Sequence, residues 1–125
     1  MKKKVFMVED TAVVRDFYQS FFGNLGFEVV EVSFFREEGF AEFFNEERDG
    51  MALVVSDGWL GEDSFTGVDA VKTVRSLDPS IPIFAVTSDS DLGKKMVIAG
   101  ADRFFHKPFN VEEFVSEMKV RGIIE

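Results

Sequence analysis

The sequence contains no cysteine, three prolines, one histidine, one tyrosine and one tryptophan among its 125 residues. Without cysteine there is no disulfide framework and no thiolate metal site, which fits a cytoplasmic protein. Long apolar runs are missing too. The stretch 52–55 falls far short of the roughly 20 residues a membrane helix needs, and the apolar residues after Lys2-Lys3-Lys4 are cut by Glu9 and Asp10 too soon for a signal peptide. Basic residues are in deficit: 14 Lys and Arg face 23 Asp and Glu, a formal net charge of −9. Nucleic acid attracts clustered Lys and Arg, so this balance argues against it and favours a basic partner or a bound cation. Repeats, linkers and low-complexity segments are absent. The expectation is one domain over 1–125 with no output domain, its signal leaving through protein contact.

What is present is an ordinary globular balance, 46% hydrophobic and 30% charged. Apolar runs and helical periodicities alternate along the chain. A short strand at 4–8 leads to Glu9-Asp10. Val14, Phe17, Tyr18, Phe21 and Leu25 then lie at helical spacing over 11–25, with Asp10 or Thr11 as a start cap and Gly26 as a stop. Residues 27–32 alternate Phe and Val against Glu, the pattern of an edge strand with one wet side. Residues 34–48 form a second helix with Phe40, Phe43 and Phe44 on one stripe and a solvated acidic face at Glu37, Glu38, Glu42, Glu46 and Glu47. Gly39 inside it costs about 1 kcal/mol relative to alanine. A continuous apolar strand at 52–56 ends in Asp57, and a Gly- and acid-rich loop runs over 58–67. A helix at 68–77 stops at Asp78-Pro79. A fourth strand at 81–86 ends in Thr87, a short helix spans 92–99, a fifth strand 104–106 precedes Lys107-Pro108, and a last helix covers 111–120.

This alternation predicts a doubly wound α/β fold, a five-stranded parallel sheet with helices on both faces. Such sheets bind ligands at the carboxyl ends of their strands. Glu9, Asp10, Asp57, Thr87 and Lys107 all stand there, while the strands themselves are almost wholly apolar. For any one of these residues alone a solvated polar group at a loop start is the better reading; for the set, sorted to one edge, a site is.

Glu9, Asp10 and Asp57 in one pocket repel, so they take up a proton or recruit a cation. Mg²⁺ suits a few carboxylates, several waters and a phosphate oxygen. Lys107 adds a compact positive charge, and Thr87 a hydroxyl donor. An aspartate flanked by a metal and a lysine is a plausible nucleophile toward phosphorus, because both cations neutralise charge building on the transferring group.

The acid pair after the first strand, the single Asp57 after the third, Thr87 after the fourth and Lys107-Pro108-Phe109 after the fifth resemble the receiver (CheY-like) domain of bacterial two-component response regulators. Gly67 opening the third helix and Gly100-Ala101-Asp102 before the fifth strand add to the likeness, which runs from Lys4 to about Arg121. The resemblance implies the flavodoxin/CheY-like strand order 2-1-3-4-5. It implies that Glu9, Asp10, Asp57 and the main-chain carbonyl of Trp59 hold Mg²⁺ or Mn²⁺, and that Asp57 accepts a phosphoryl group from a sensor histidine kinase or phosphotransfer protein. Thr87 and Lys107 then sense that group, Phe104 takes the position of a switching aromatic, and the Lys107-Pro108 bond is cis. The output face would be the fourth helix, fifth strand and fifth helix, on a monomer or a weak phosphorylation-dependent dimer.

Phe104 is either an ordinary core phenylalanine or a switch residue biased inward, since it lacks a hydroxyl suited to a wet position. The loop 58–66 departs from the family pattern, being longer and without proline. Trp59 within it either covers apolar surface or roofs the site and restricts the attacking water. Asp89, two residues after Thr87, places another acid nearby. His106 is given no role. Tyr18, Phe22, Phe34 and Phe35 are hard to bury together, so some of them are candidates for a partner surface. Two rival readings are an aspartyl-phosphate phosphatase, disfavoured because Trp59 stands where such enzymes place a second Asp, and a degenerate receiver acting as a binding module.

Overall fold

The computed structural model describes residues 2–32, 37–61, 64–108 and 110–125, with Glu37 and Glu38 described by backbone alone. Strands and helices alternate: β1 (Lys4–Val8), α1 (Ala12–Asn24), β2 (Glu28–Glu31), α2 (Glu37–Glu47), β3 (Met51–Asp57), α3 (Gly67–Leu77), β4 (Ile83–Thr87), α4 (Ser90–Ala99), β5 (Arg103–His106) and α5 (Val111–Val120). The strands form one parallel sheet in the order β2-β1-β3-β4-β5, as the alternation and the resemblance predict.

Alternate side chains of each strand go to opposite faces, and each face is covered by helices. Phe6, Val8, Val54, Ile83 and Ala85 pack with Phe40 and Phe44 of α2, Ala70, Val71 and Val74 of α3 and Met96 of α4. Val5, Met7, Leu53, Val55, Phe84, Val86 and Phe105 pack on the other side with Tyr18 and Phe22 of α1 and Phe114 and Met118 of α5. Much of each core is aromatic, with edge-on pairs such as Phe6 with Phe44 and Phe84 with Phe114.

Three readings are refined. β2 is an edge strand, but its apolar side chains go to both faces: Phe27 and Val29 join one core, Val30 and Val32 the other, while Glu28 stays exposed. On α1 the buried side chains are Tyr18 and Phe22, while Phe17 is 45% exposed. The register of that helix therefore turns Tyr18 and Phe22 inward and leaves no partner surface on them; Phe34 and Phe35 lie outside the described residues. Thr11 occupies the start of α1 without a side-chain cap bond. Its N–H instead donates to Glu9 Oε1 at 3.1 Å, so the strand-end acid does the work of a cap.

Local chemistry fixes the other helix ends. α3 opens with a capping box in which Thr66 and Asp69 satisfy each other's backbone amides. α4 starts earlier than its apolar spacing predicts, at Ser90, because Asp89 caps it through Leu92 N at 3.1 Å. Arg75 ties α3 to the far edge of the sheet by donating to the carbonyls of Gly100 and Ile81 and to Asp102. The Lys107-Pro108 peptide bond is cis.

Candidate functional site

The carboxyl ends of β1, β3, β4 and β5 bring the predicted polar residues to one rim. Glu9 and Asp10 follow β1, and Asp57 closes β3. Their carboxylate oxygens lie within 4.8 Å of one another. Lys107, after β5, places Nζ at 3.3 Å from Glu9 Oε2 and at 3.3 Å from Asp57 Oδ1. Thr87 ends β4, is buried, and accepts the backbone N–H of Asp89 on Oγ1 at 3.2 Å. The neighbouring strand end is stitched to it, since Lys107 N donates to the carbonyl of Thr87 at 3.0 Å.

Burial sets the electrostatics. Glu9 is 1% exposed, and that burial, followed by the charge of Asp57, pushes its carboxyl up to about 7 despite the opposing pull of Lys107. Burial also raises Asp57, against the lowering effects of Lys107 and of the Gly58 N–H, which donates to Oδ1 at 2.8 Å. A pocket that holds three carboxylates and pushes two of them toward protonation is under-neutralised by one lysine. A hard divalent cation relieves that condition, and the all-oxygen donor set fits Mg²⁺. The residues present fit the ion, and Glu9, Asp10 and Asp57 are the group that could hold it.

Glycines make room where chains converge. A Cβ on Gly67 would lie 2.2 Å from the carbonyl oxygen of Asp57, and a Cβ on Gly58 would lie 2.8 Å from Thr87 Oγ1 and 2.6 Å from Leu92 Cδ2. Gly67 N donates to the carbonyl of Gly58 at 2.7 Å, pinching the long loop at its base. Within the loop Gly61, at φ +80°, sits over the Asp10 carboxylate.

Trp59 is 52% exposed, and its indole N–H donates to Asp89 Oδ2 at 3.1 Å. Phe104 lies on the same sheet face as Thr87, one strand over, and is half-buried against Gly93 of α4. His106 is exposed, its Nδ1 2.7 Å from the carbonyl oxygen of Lys107. Sequence reasoning missed Tyr18, which is buried beside the pocket; burial, then the charges of Glu9 and Asp57, push its phenol upward. It missed Gly58 as well, whose need is visible only once Thr87 and Leu92 are seen against it.

Geometry of this kind defines a receiver, and comparison with known proteins agrees. A family profile described as the response regulator receiver domain matches residues 5–119. The chain belongs to that family. It shares 34% identity over 110 residues with a cyclic di-GMP phosphodiesterase from Thermotoga maritima, covering 86% of this chain and 28% of that protein. With the transcriptional regulatory protein PhoP of Escherichia coli (strain K12) it shares 29% identity over 118 residues, 93% of this chain and 50% of PhoP. The chain thus spans half or less of the length of these relatives. Among solved structures, the receiver domain of a Pseudomonas aeruginosa sensor histidine kinase, with a magnesium ion coordinated in its active-site cleft, superposes with a TM-score of 0.79 at 21% identity over 98% of each chain. The chemotaxis protein CheY4 of Vibrio cholerae gives a TM-score of 0.76 at 22% identity, covering 96% of this chain and 98% of that one.

Proposed function

We propose that this chain is a phosphorylation switch in which Asp57 accepts a phosphoryl group from a histidine kinase or phosphotransfer protein. The observation that carries this reading is the position of Lys107 Nζ, 3.3 Å from both Glu9 and Asp57 in a pocket shared with Asp10. Such a pocket is anionic without a cation and phosphate-receptive with one. Among the described residues the Gly58 N–H and Lys107 Nζ meet the Asp57 carboxylate at Oδ1, which leaves the other carboxylate oxygen to attack phosphorus.

When bound, the divalent ion supplies positive charge beside the transferring phosphoryl group. Glu9, Asp10, Asp57 and the carbonyl of Trp59 are its proposed holders. An Asp57 oxygen forms the new P–O bond as the P–N bond to the donor histidine breaks; the imidazole leaves and takes a proton. Lys107 neutralises a phosphoryl oxygen, and the Thr87 hydroxyl donates to another. Phe104 reads the movement of Thr87 from the adjacent strand. Water later attacks phosphorus, returning the Asp57 carboxylate and inorganic phosphate.

The metal requirement is the sharpest test of this reading. Incubated with a small acyl phosphate, the protein gains one phosphoryl group by intact-mass measurement when Mg²⁺ is present and gains none when EDTA replaces it. Equal uptake under both conditions would contradict the proposed role of the three carboxylates. No helix among the described residues is long and apolar enough to cross a membrane.

A further inference from the structure

The loop after β3 and the loop after β4 are joined by a side-chain contact that depends on two residue types. Trp59 stands two residues beyond Asp57, and Asp89 stands two beyond Thr87. The Trp59 indole N–H donates to Asp89 Oδ2 at 3.1 Å, although half of the residue is exposed to water. The second carboxylate oxygen, Oδ1, accepts the Leu92 N–H at 3.1 Å and so caps α4. The backbone N–H of Asp89 donates to Thr87 Oγ1 at 3.2 Å. A hydroxyl that accepts in this way still has its proton to give, which aims the donor of Thr87 away from Asp89.

The cap and first turn of α4 therefore touch the loop after Asp57, Thr87 and Phe104. Leu92 presses on Gly58, where a Cβ would come within 2.6 Å of Leu92 Cδ2, and Gly93 carries the ring of Phe104, whose atoms a Cβ there would meet at 2.5 Å. We propose that Trp59 and Asp89 are positioning residues whose bridge holds Thr87 and the first turn of α4 in register with Asp57, so that occupancy of the acidic pocket is transmitted to α4 through it. The inference rests on the switch reading of the same pocket. It adds the route by which the loop carrying residue 59 reaches the helix.

Two substitutions separate this role from simple helix capping. Asp89→Asn keeps a cap, since Asn and Asp serve equally well at that position, but with its oxygen on Leu92 it turns an NH2 donor toward the Trp59 N–H, which has nothing to accept it. Trp59→Phe keeps an aromatic ring and removes the donor. Backbone amide spectra of the full chain are recorded before and after addition of Mg²⁺ with beryllium fluoride, a phosphoryl mimic. In the wild-type protein the Leu92 amide shifts. In each single variant that shift falls to about half or less, and the double variant loses no more than either single one, because both remove the same contact. Thermal midpoints close to wild type show that the helix remains capped. Wild-type shifts at Leu92 in both variants would overturn the bridge while leaving the switch intact. An unresponsive wild-type pocket would overturn the switch reading, and the bridge with it.

Discussion

At the scale of single residues, Glu9 is where the fold works against its own charge. Its carboxyl sits near 7 in the folded protein against an ordinary 4.5, mainly through burial. Between those two pH values the folded protein keeps a proton that the unfolded chain has released, so metal-free stability falls as pH rises through that window. Removing the charge should remove the share of the fall that Glu9 contributes, leaving that of Asp57, whose carboxyl burial also raises. We predict that metal-free Glu9→Gln is more stable than wild type by about 1–3 kcal/mol near pH 8, with the gap closing toward pH 4.5. Urea unfolding at a series of pH values reads this directly, and a gap that stays constant with pH would contradict it. Added Mg²⁺ should restore the wild type at the alkaline end and do little for the variant, because the ion needs the third carboxylate.

At the scale of elements, the contact between α4 and β5 makes a prediction in which the sign depends on background. Glycine inside a helix costs about 1 kcal/mol relative to alanine, yet Gly93 lies in α4 with the Phe104 ring against it. Gly93→Ala should therefore gain about that amount only when Phe104 is already alanine; with the ring in place, the gain should vanish or reverse. A double-mutant cycle by thermal unfolding measures the coupling. Additive effects would show that the ring does not need the glycine. The same elements show what a sequence makes legible. Val68, Val71 and Val74 placed α3 by periodicity alone, and the structure starts that helix one residue earlier, at Gly67. Helix starts set by side-chain caps were harder to place, as with α4, where Asp89 begins the helix ahead of its apolar spacing. Apolar periodicity reports what is buried, whereas a cap depends on a polar contact made one turn away.

At the scale of the whole molecule, the strand order was legible through the resemblance to receiver domains, and the rim of the pocket because the strands are so uniformly apolar. Polar residues at their carboxyl ends had few other places to go. The covering of β2 on both faces was not legible, since a Phe-Glu-Val-Val-Glu-Val stretch reads as half-wet until Phe27 is seen joining one core and Val32 the other. The bridge between Trp59 and Asp89 was likewise invisible, for it joins residues 30 apart in sequence across two loops. Everything functional depends on residues from four strand ends meeting at one carboxylate. The most direct test is mass spectrometry of wild type and Asp57→Asn treated side by side with an acyl phosphate and Mg²⁺. The account predicts one added phosphoryl group on the wild type, mapped to the peptide containing Asp57, and none on the variant. A phosphoryl group on both proteins, or on neither, would contradict it.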